Sequence, residues 1–259
     1  MSDTMRIVAL AGGKLEESQT LPIHRHVVRL TGKRRARALI IPTAGGDPED
    51  TIAAFEEVYG GRLNCRPRTL ALVRNPVSRR RASSLILESD LIYVSGGNTY
   101  RMMCIWRRLG LDAVLRKAVS RGIVAAGVSA GANCWFAYGQ GGRRSSAGSE
   151  ERSLIRVRGL GLVSALFCPH YGDDRRREAI ARMVARHGGV AIGCRDYAAV
   201  EVRGDTYRVL TCAEGAGAQR LFRHKGKVLT QELPTDRPYR PLQELLSEEP
   251  AFGERQAAD

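Results

Sequence analysis

Short runs of apolar residues alternate along the chain with longer segments in which apolar residues recur at helical spacing. The runs that predict buried strands are residues 5–10, 38–42, 70–73, 91–95, 123–128 and 164–168. The segments that predict helices are residues 48–59, 77–88, 100–109, 113–121 and 175–187. This alternation is typical of a parallel sheet covered by helices on both faces. We therefore predict an α/β fold of three layers with a mostly parallel sheet.

The last quarter of the chain has a different pattern. Short strand-like runs at residues 198–202, 206–210, 218–222 and 227–229 are joined by turn-forming Gly-Asp and Lys-Gly pairs. They predict antiparallel hairpins at the edge of the fold. Residues from about 234 to 259 are rich in Pro, Glu and Arg, which predicts a surface extension or a partly disordered tail. Because no linker or repeat interrupts the pattern, we expect residues 1–259 to form a single domain.

Composition narrows the class of protein. Of 259 residues, 43% are hydrophobic and 26% are charged, which disfavours disordered and fibrous classes. No apolar stretch reaches the roughly 18 residues of a membrane span, and residues 1–10 lack the layout of a signal peptide. We expect a cytoplasmic protein without a membrane partner. Six scattered cysteines with no CxxC pair predict buried thiols rather than disulfides or a metal site.

The chain carries a formal net charge of +14, which favours polyanions in principle. Basic runs lie at residues 33–35, 79–81 and 175–177, each in a different predicted segment, and no nucleic-acid-binding module is present. Nucleic acid is therefore disfavoured as a partner. His24 and His26 form a close pair without a third ligand nearby, so we expect them on the solvated surface and predict no metal.

The strongest local signal follows the predicted strand at 123–128. Gly127, Ser129 and Gly131 form a G-x-S-x-G arrangement at a strand-to-helix junction, which is typical of a nucleophile elbow. The amide of Ala130 then begins a helix where an oxyanion can be stabilised. Serine is also a common helix N-cap, so an ordinary turn remains an alternative interpretation.

A second glycine loop follows the predicted strand at 91–95. Its consecutive glycines, Gly96 and Gly97, allow the backbone to approach a reacting group closely, so the amide of Gly97 is a candidate second oxyanion donor. Asn98 follows in the same loop. An ordinary strand-to-helix turn explains the loop equally well, whereas a phosphate loop is disfavoured because no Gly-Lys-Ser/Thr follows.

A serine nucleophile requires a base and a carboxylate. His170 ends an apolar run, where a base at a strand end is expected, and a buried structural histidine is the alternative. Asp196 closes the next strand-like run and is the candidate carboxylate. We interpret Asp173 as a helix N-cap, and Glu201, which alternates with valines, as a surface residue of a hairpin.

Residues 94–100, 127–133 and 168–171 resemble the serine peptidases that comprise aspartyl dipeptidase (peptidase E) and cyanophycinase, whose fold is similar to that of class I glutamine amidotransferases. The order and spacing of these segments agree over about the first 200 residues.

The resemblance implies Ser129 as nucleophile, His170 as general base and then general acid, and Gly97 with Ala130 as oxyanion donors. The third member is often glutamate in this family, and Asp196 stands at the matching segment.

For substrate binding, the resemblance implies an arginine on the helix after the catalytic histidine that recognises an aspartyl carboxylate, which is Arg176 here. We assign Asn98 to substrate binding as well. These residues predict a serine peptidase that hydrolyses small peptides, chiefly dipeptides with an amino-terminal aspartate, through an acyl-enzyme and without a cofactor.

Three alternatives remain: a cyanophycinase-like hydrolase of aspartyl-arginine material, a non-catalytic binding module that retains the elbow, and an amidotransferase domain. The last of these predicts cysteine at the position of Ser129. A homodimer is left open.

Overall fold

A computed structural model of the chain describes residues 5–143, 153–235 and 238–250. The strands are β1 (Arg6–Leu10), β2 (Arg37–Ile41), β3 (Arg66–Thr69), β4 (Leu91–Val94), β5 (Val124–Val128), β6 (Phe136–Arg143), β7 (Ser153–Arg158), β8 (Val163–Cys168), β9 (Ala191–Cys194), β10 (Ala198–Arg203), β11 (Thr206–Thr211), β12 (Ala218–His224), β13 (Lys227–Glu232) and β14 (Arg240–Pro241). The helices are α1 (Leu21–Arg29), α2 (Glu49–Phe55), α3 (Arg79–Leu87), α4 (Thr99–Arg108), α5 (Leu111–Ser120), α6 (Ala130–Asn133), α7 (Asp174–His187) and α8 (Leu242–Leu246). Glu56–Arg62 continues α2 as a π-helical segment.

These strands form two mixed sheets flanked by helices, which confirms the predicted α/β class. The first sheet has the order β14-β11-β10-β1-β5-β4-β2-β3, and its strands from β1 to β3 in that order are parallel. The second sheet has the order β13-β12-β9-β8-β6-β7, in which β6, β8 and β9 are parallel. The expected antiparallel hairpins are β10–β11 and β12–β13, one in each sheet.

The parallel strands are apolar because both of their faces are covered. Every residue of β4 and of β9 is buried, as expected for strands packed between layers of a parallel sheet. Helices and the second sheet cover the first sheet, and one core cluster extends from β1 and β4 to β8. Within the ranges described, no helix is both long enough and apolar enough to cross a membrane.

One predicted strand was wrong, and several elements were missed. The strand expected at 70–73 is β3, Arg66–Thr69, which pairs with β2 through mostly polar residues at the sheet edge. The apolar run at 70–73 suggested a strand because Leu70 and Leu72 are buried, but they lie just beyond the end of β3. Helix α1 and the hairpin β6–β7 were not predicted. Gly139, Gly141 and Gly142 interrupt the apolar pattern of β6, which hides this strand in the sequence.

The chain after residue 234 is not only a surface extension. Arg240–Pro241 pairs with β11 as β14, and Leu242 and Leu245 of α8 are buried in the core. The hydroxyl of Tyr239 donates a hydrogen bond of 2.8 Å to Glu201, which fixes this segment to β10. Residues 251–259, for which a disordered tail was predicted, lie outside the described residues.

Glu201 is buried, and its surface assignment was wrong. It is 0% exposed, and its carboxylate accepts a hydrogen bond of 2.7 Å from Arg208 and contacts the His26 ring at 3.0 Å. Burial alone would raise the pKa of Glu201, but the hydrogen bonds from His26 and Arg208 outweigh it and lower that pKa. An alternating strand pattern does not reveal this burial, because the covering residues come from α1 and the C-terminal segment.

His24, also expected at the surface, lies in the core between two tyrosines. Its ring centroid is 5.7 Å from those of Tyr59 and Tyr93, and Nδ1 is 3.1 Å from the Tyr59 hydroxyl. Because burial disfavours the charged ring, the pKa of His24 is lowered to about 4. An unfolded histidine protonates near pH 6.5, so the unfolded chain takes up this proton first.

The stability of the fold should therefore fall as pH decreases from about 6.5 to about 4. The contribution of His24 to this fall is at most about 1.4 kcal/mol per pH unit. Urea unfolding at a series of pH values should show a flatter profile for His24→Gln than for the wild type. The exposed His187, replaced in the same way, is the control and should retain the wild-type slope. An unchanged slope in His24→Gln would contradict the assignment of a neutral buried ring.

Candidate active site

The site lies where strands of the two sheets end. Loops that follow β1, β2, β4 and β5 meet at the carboxyl edge of the first sheet, because these strands are parallel. The parallel strands β8 and β9 of the second sheet end nearby, before His170 and Asp196. In open parallel sheets this edge is where binding and catalytic groups collect. The loops that form the site are therefore positioned by the carboxyl ends of strands from both sheets.

Ser129 stands in a sharp turn between β5 and α6. Its backbone has φ 54° and ψ −111°, an unusual conformation for a residue with a side chain. A Cβ at Gly127 would lie 2.4 Å from the carbonyl oxygen of Gly131, and a Cβ at Gly131 would lie 2.0 Å from that of Val94. Only glycine fits at both positions. The strand-to-helix turn predicted from the sequence is therefore present, with Ser129 partly exposed at its tip.

A continuous chain of hydrogen bonds joins the three residues predicted to work together. Nε2 of His170 is 2.9 Å from Oγ of Ser129, and Nδ1 is 2.7 Å from Oδ1 of Asp196. An ionised Asp196 only accepts hydrogen bonds, so Nδ1–H donates to it. In the neutral ring Nε2 is then the acceptor, and the Ser129 hydroxyl donates to it. This arrangement suits removal of the serine proton by the histidine.

The carboxyl of Asp196 is held in its ionised form. The hydrogen bond from His170 is the largest influence and lowers the pKa of Asp196; partial burial opposes this effect, and the charges of His170 and Arg176 add to it. The Asp196 side chain is 47% exposed. An ionised carboxylate here orients the ring and balances the charge that forms when Nε2 is protonated.

Glycine at position 12 makes room for this pair. A Cβ at Gly12 would lie 2.0 Å from Oδ1 of Asp196 and 2.8 Å from Cε1 of His170. The Gly12 carbonyl also accepts the amide of Tyr197, directly after Asp196. The sequence marks Gly12 only as a turn after β1, because the residues it touches lie more than 150 positions away.

The second glycine loop lies beside Ser129. A Cβ at Gly96 would be 3.6 Å from Cβ of Ser129, and a Cβ at Gly97 would be 2.3 Å from the carbonyl carbon and oxygen of Ala44. Gly97, the next residue of this loop, has φ 139° and is exposed. Ala130 is the first residue of α6, so its amide has no acceptor within the helix.

A cleft of about 590 Å³ opens beside Gly97. Asn98 and Arg176, both predicted to bind substrate, line it, together with Arg101, Asp173 and Arg175. Oδ1 of Asn98 accepts the amide of Arg101 and caps α4, so its oxygen already has a structural role. Asp173 caps α7, as predicted.

Arg176 is held by a buried glutamine that the sequence analysis missed. The side-chain amide of Gln140 donates to the carbonyl of Arg176 at 3.0 Å, and the guanidinium lies 3.4 Å from Oε1 of Gln140. Arg177 instead pairs with Asp174 on the helix surface. Of the three arginines at 175–177, Arg175 and Arg176 line the cleft and Arg177 does not.

No group of three or more His, Cys, Asp or Glu side chains in the described ranges is arranged to hold a metal ion. All six cysteines are free thiols. Burial raises the pKa of Cys168, two residues before His170, to about 12, so this thiol is protonated. Ser129 is therefore the nucleophile candidate that faces the histidine.

The fold is that of known peptidases. A crystal structure of a peptidase from an acI-B1 Actinobacterium superposes with a TM-score of 0.69 at 18% identity, covering 93% of this chain and 98% of that one. A putative peptidase E from Listeria monocytogenes EGD-e superposes with a TM-score of 0.53 at 16% identity, covering 89% of this chain and 99% of that one. At these identities the likeness concerns the fold alone.

The sequence itself gives the family. Residues 7–210 match Peptidase family S51, so the chain belongs to that family and is a peptidase. It is 32% identical over 237 residues to the uncharacterized peptidase YgaJ of Bacillus subtilis (strain 168), covering 88% of this chain and 97% of that protein. It is 28% identical over 130 residues to peptidase E of Streptomyces coelicolor, covering 46% of this chain and 51% of that protein. The resemblance inferred from the three motifs is confirmed.

The contact at Gly12 gives a prediction. Gly12→Ala should lower the rate of peptide hydrolysis by about 100-fold, because the added methyl group displaces Asp196 and tilts the His170 ring. The measurement is kcat/KM, with thermal unfolding followed in parallel. Gly61→Ala is the control, since a Cβ there meets nothing within 4 Å. Full activity in Gly12→Ala would show that the close approach does not position the pair.

Proposed function

We propose that the chain is a serine peptidase that forms an acyl-enzyme on Ser129. The observation that carries the proposal is the continuous hydrogen-bonded chain from Ser129 through His170 to Asp196, with distances of 2.9 and 2.7 Å. This is the order of contacts that a nucleophile, a general base and an orienting carboxylate require.

The reaction follows from these contacts. Oγ of Ser129 attacks the scissile carbonyl carbon while Nε2 of His170 takes the hydroxyl proton. The C–N bond then breaks, and the imidazolium returns that proton to the leaving amine. A water molecule, deprotonated by the same nitrogen, attacks the acyl-enzyme, and the acid product leaves as Ser129 recovers its proton.

The negative charge of each tetrahedral intermediate needs donors beside Ser129. The amides of Gly97 and Ala130 are suited to this role, since Ala130 begins α6 and Gly97 belongs to the loop that adjoins Ser129. One such donor accounts for about 100-fold to 1,000-fold in kcat in enzymes of this kind. Fixed backbone amides need no reorganisation as the charge develops.

The substrates we propose are small peptides, chiefly dipeptides with an amino-terminal aspartate. The cleft volume of about 590 Å³ suits a small ligand. Arg176 lines this cleft, lies against the neutral Gln140 and forms no ion pair within the described residues, so its charge is available to a carboxylate. Three arginines around one cleft favour an anionic side chain over the guanidinium of aspartyl-arginine material.

The remaining alternatives have less support. A binding module without activity has no need for the hydrogen-bonded chain, and an amidotransferase would carry cysteine where Ser129 stands. A cytoplasmic location and the oligomeric state stay predictions.

Reactivity of Ser129 tests the mechanism. A fluorophosphonate probe should label the wild-type protein, because His170 activates the serine hydroxyl, and should not label Ser129→Ala. Labelling of His170→Ala should be slower by about 100-fold or more. Mass spectrometry locates the adduct, and Ser95→Ala, at a buried serine, serves as the matched control. Equal labelling of wild type and Ser129→Ala would refute the assignment.

Arg176 tests the substrate. Arg176→Gln should lower kcat/KM for Asp-Leu by about 10-fold or more while changing that for Ala-Leu little, because a charged hydrogen bond to the side-chain carboxylate is lost. Arg177→Gln removes the same charge from a residue paired with Asp174 and should leave both values near the wild type. Equal losses on the two substrates would move the specificity role elsewhere.

A further inference from the structure

A second arginine lies beside the Gly97 loop and lines the same cleft. Nη2 of Arg101, on α4, donates a hydrogen bond of 3.1 Å to the carbonyl oxygen of Ala44. The same oxygen accepts the amide of Asn98 at 2.8 Å and borders the Cα of Gly97. The Arg101 guanidinium is therefore anchored to the backbone that packs against the candidate oxyanion loop.

The charge of Arg101 is not used within the described part of the chain. No acidic side chain there forms an ion pair with it, and its one side-chain hydrogen bond there goes to the backbone carbonyl of Ala44. Asp173, the carboxylate that shares the cleft, accepts the amide of Arg175 instead. A guanidinium group that lines a cleft without an ion-pair partner is suited to bidentate binding of a ligand carboxylate.

The position of Arg101 also contradicts the local preference of a helix. It is the third residue of α4, where the helix dipole disfavours a cation. Departures from local preference are expected at functional sites. The hydrogen bond to the Ala44 carbonyl holds the exposed Arg101 side chain in place but leaves its charge without an ion pair among the described residues.

We propose that Arg101 binds the terminal carboxylate of the leaving residue, so that the enzyme selects dipeptides with a free carboxyl end. This inference rests on the proposed function. In a dipeptide that carboxylate lies one residue beyond the scissile carbonyl, a span of roughly 3.3–3.6 Å. The Arg101 guanidinium is bound to the Ala44 carbonyl that borders Gly97, and Arg101 and Gly97 line the same cleft.

The two arginines then bind different carboxylates of one substrate. Arg176, on α7, binds the aspartyl side-chain carboxylate, and Arg101, on α4, binds the terminal carboxylate of the leaving residue. A longer peptide presents a neutral amide where a dipeptide presents its carboxylate. Such a peptide leaves the guanidinium without its anion, and its affinity falls accordingly.

The test compares Asp-Leu with Asp-Leu-amide, which differ only in the terminal charge. We expect the wild type to prefer the acid by about 10-fold or more in kcat/KM, the effect of a charged hydrogen bond. Arg101→Gln should lose this preference through slower hydrolysis of the acid, with the amide hydrolysed at the wild-type rate. Arg101→Lys should recover part of the preference. Arg108→Gln, on the same helix, is the matched control and should behave as the wild type.

The outcomes separate the two proposals. If the wild type hydrolyses both compounds equally, or if Arg101→Gln slows both equally, the role of Arg101 is overturned while the peptidase mechanism stands. If Arg101→Gln instead changes the preference for Asp-Leu over Asn-Leu, Arg101 reads the side chain and the assignment is also overturned. If the wild type hydrolyses neither compound, the proposed substrate class fails, and the role of Arg101 fails with it.

Discussion

The site depends on two sheets ending within hydrogen-bonding distance of each other. Ser129 follows a strand of the first sheet, and His170 and Asp196 follow strands of the second, yet 2.9 and 2.7 Å separate their functional atoms. The turn at Asp196 joins β9 of one sheet directly to β10 of the other. The carboxylate therefore sits at the junction of the sheets, and any change in their relative position changes the alignment of the His170 ring.

This junction is built from backbone conformations that ordinary residues avoid. Ser129, His170 and Tyr197 all have positive φ, at 54°, 56° and 62°. Such conformations cost roughly 1–3 kcal/mol each and persist only where the surrounding structure imposes them. Here the imposing structure is the apolar core beneath the strand ends, in which β4, β5 and β9 are almost entirely buried. The core thus serves the site by holding strained turns in place.

The sequence predicted those parts of the fold that depend on the local order of apolar residues and glycines. Strands buried on both faces and followed by glycines, such as β1 and β4, were predicted nearly to the residue, and strand-end reasoning selected Ser129, His170 and Asp196, which the structure brings together. The polar edge strand β3 and the glycine-containing β6 lack that pattern. The burial of His24 and Glu201, like the contacts of Gly12 and Arg101, depends on residues far away in the chain, which no local pattern contains.

The electrostatics of the cleft can be separated from those of the whole protein. A net charge of +14 attracts any anion over long distances and is weakened by salt, so it raises the rate of encounter without choosing among acidic peptides. The proposed selection requires guanidinium groups that are held in place in the cleft. Arg101 is fixed by the Ala44 carbonyl and Arg176 by Gln140, and both retain donors that face the cleft. In the proposed function the general charge and the local geometry therefore act at different steps, and only the local geometry distinguishes one small acidic peptide from another.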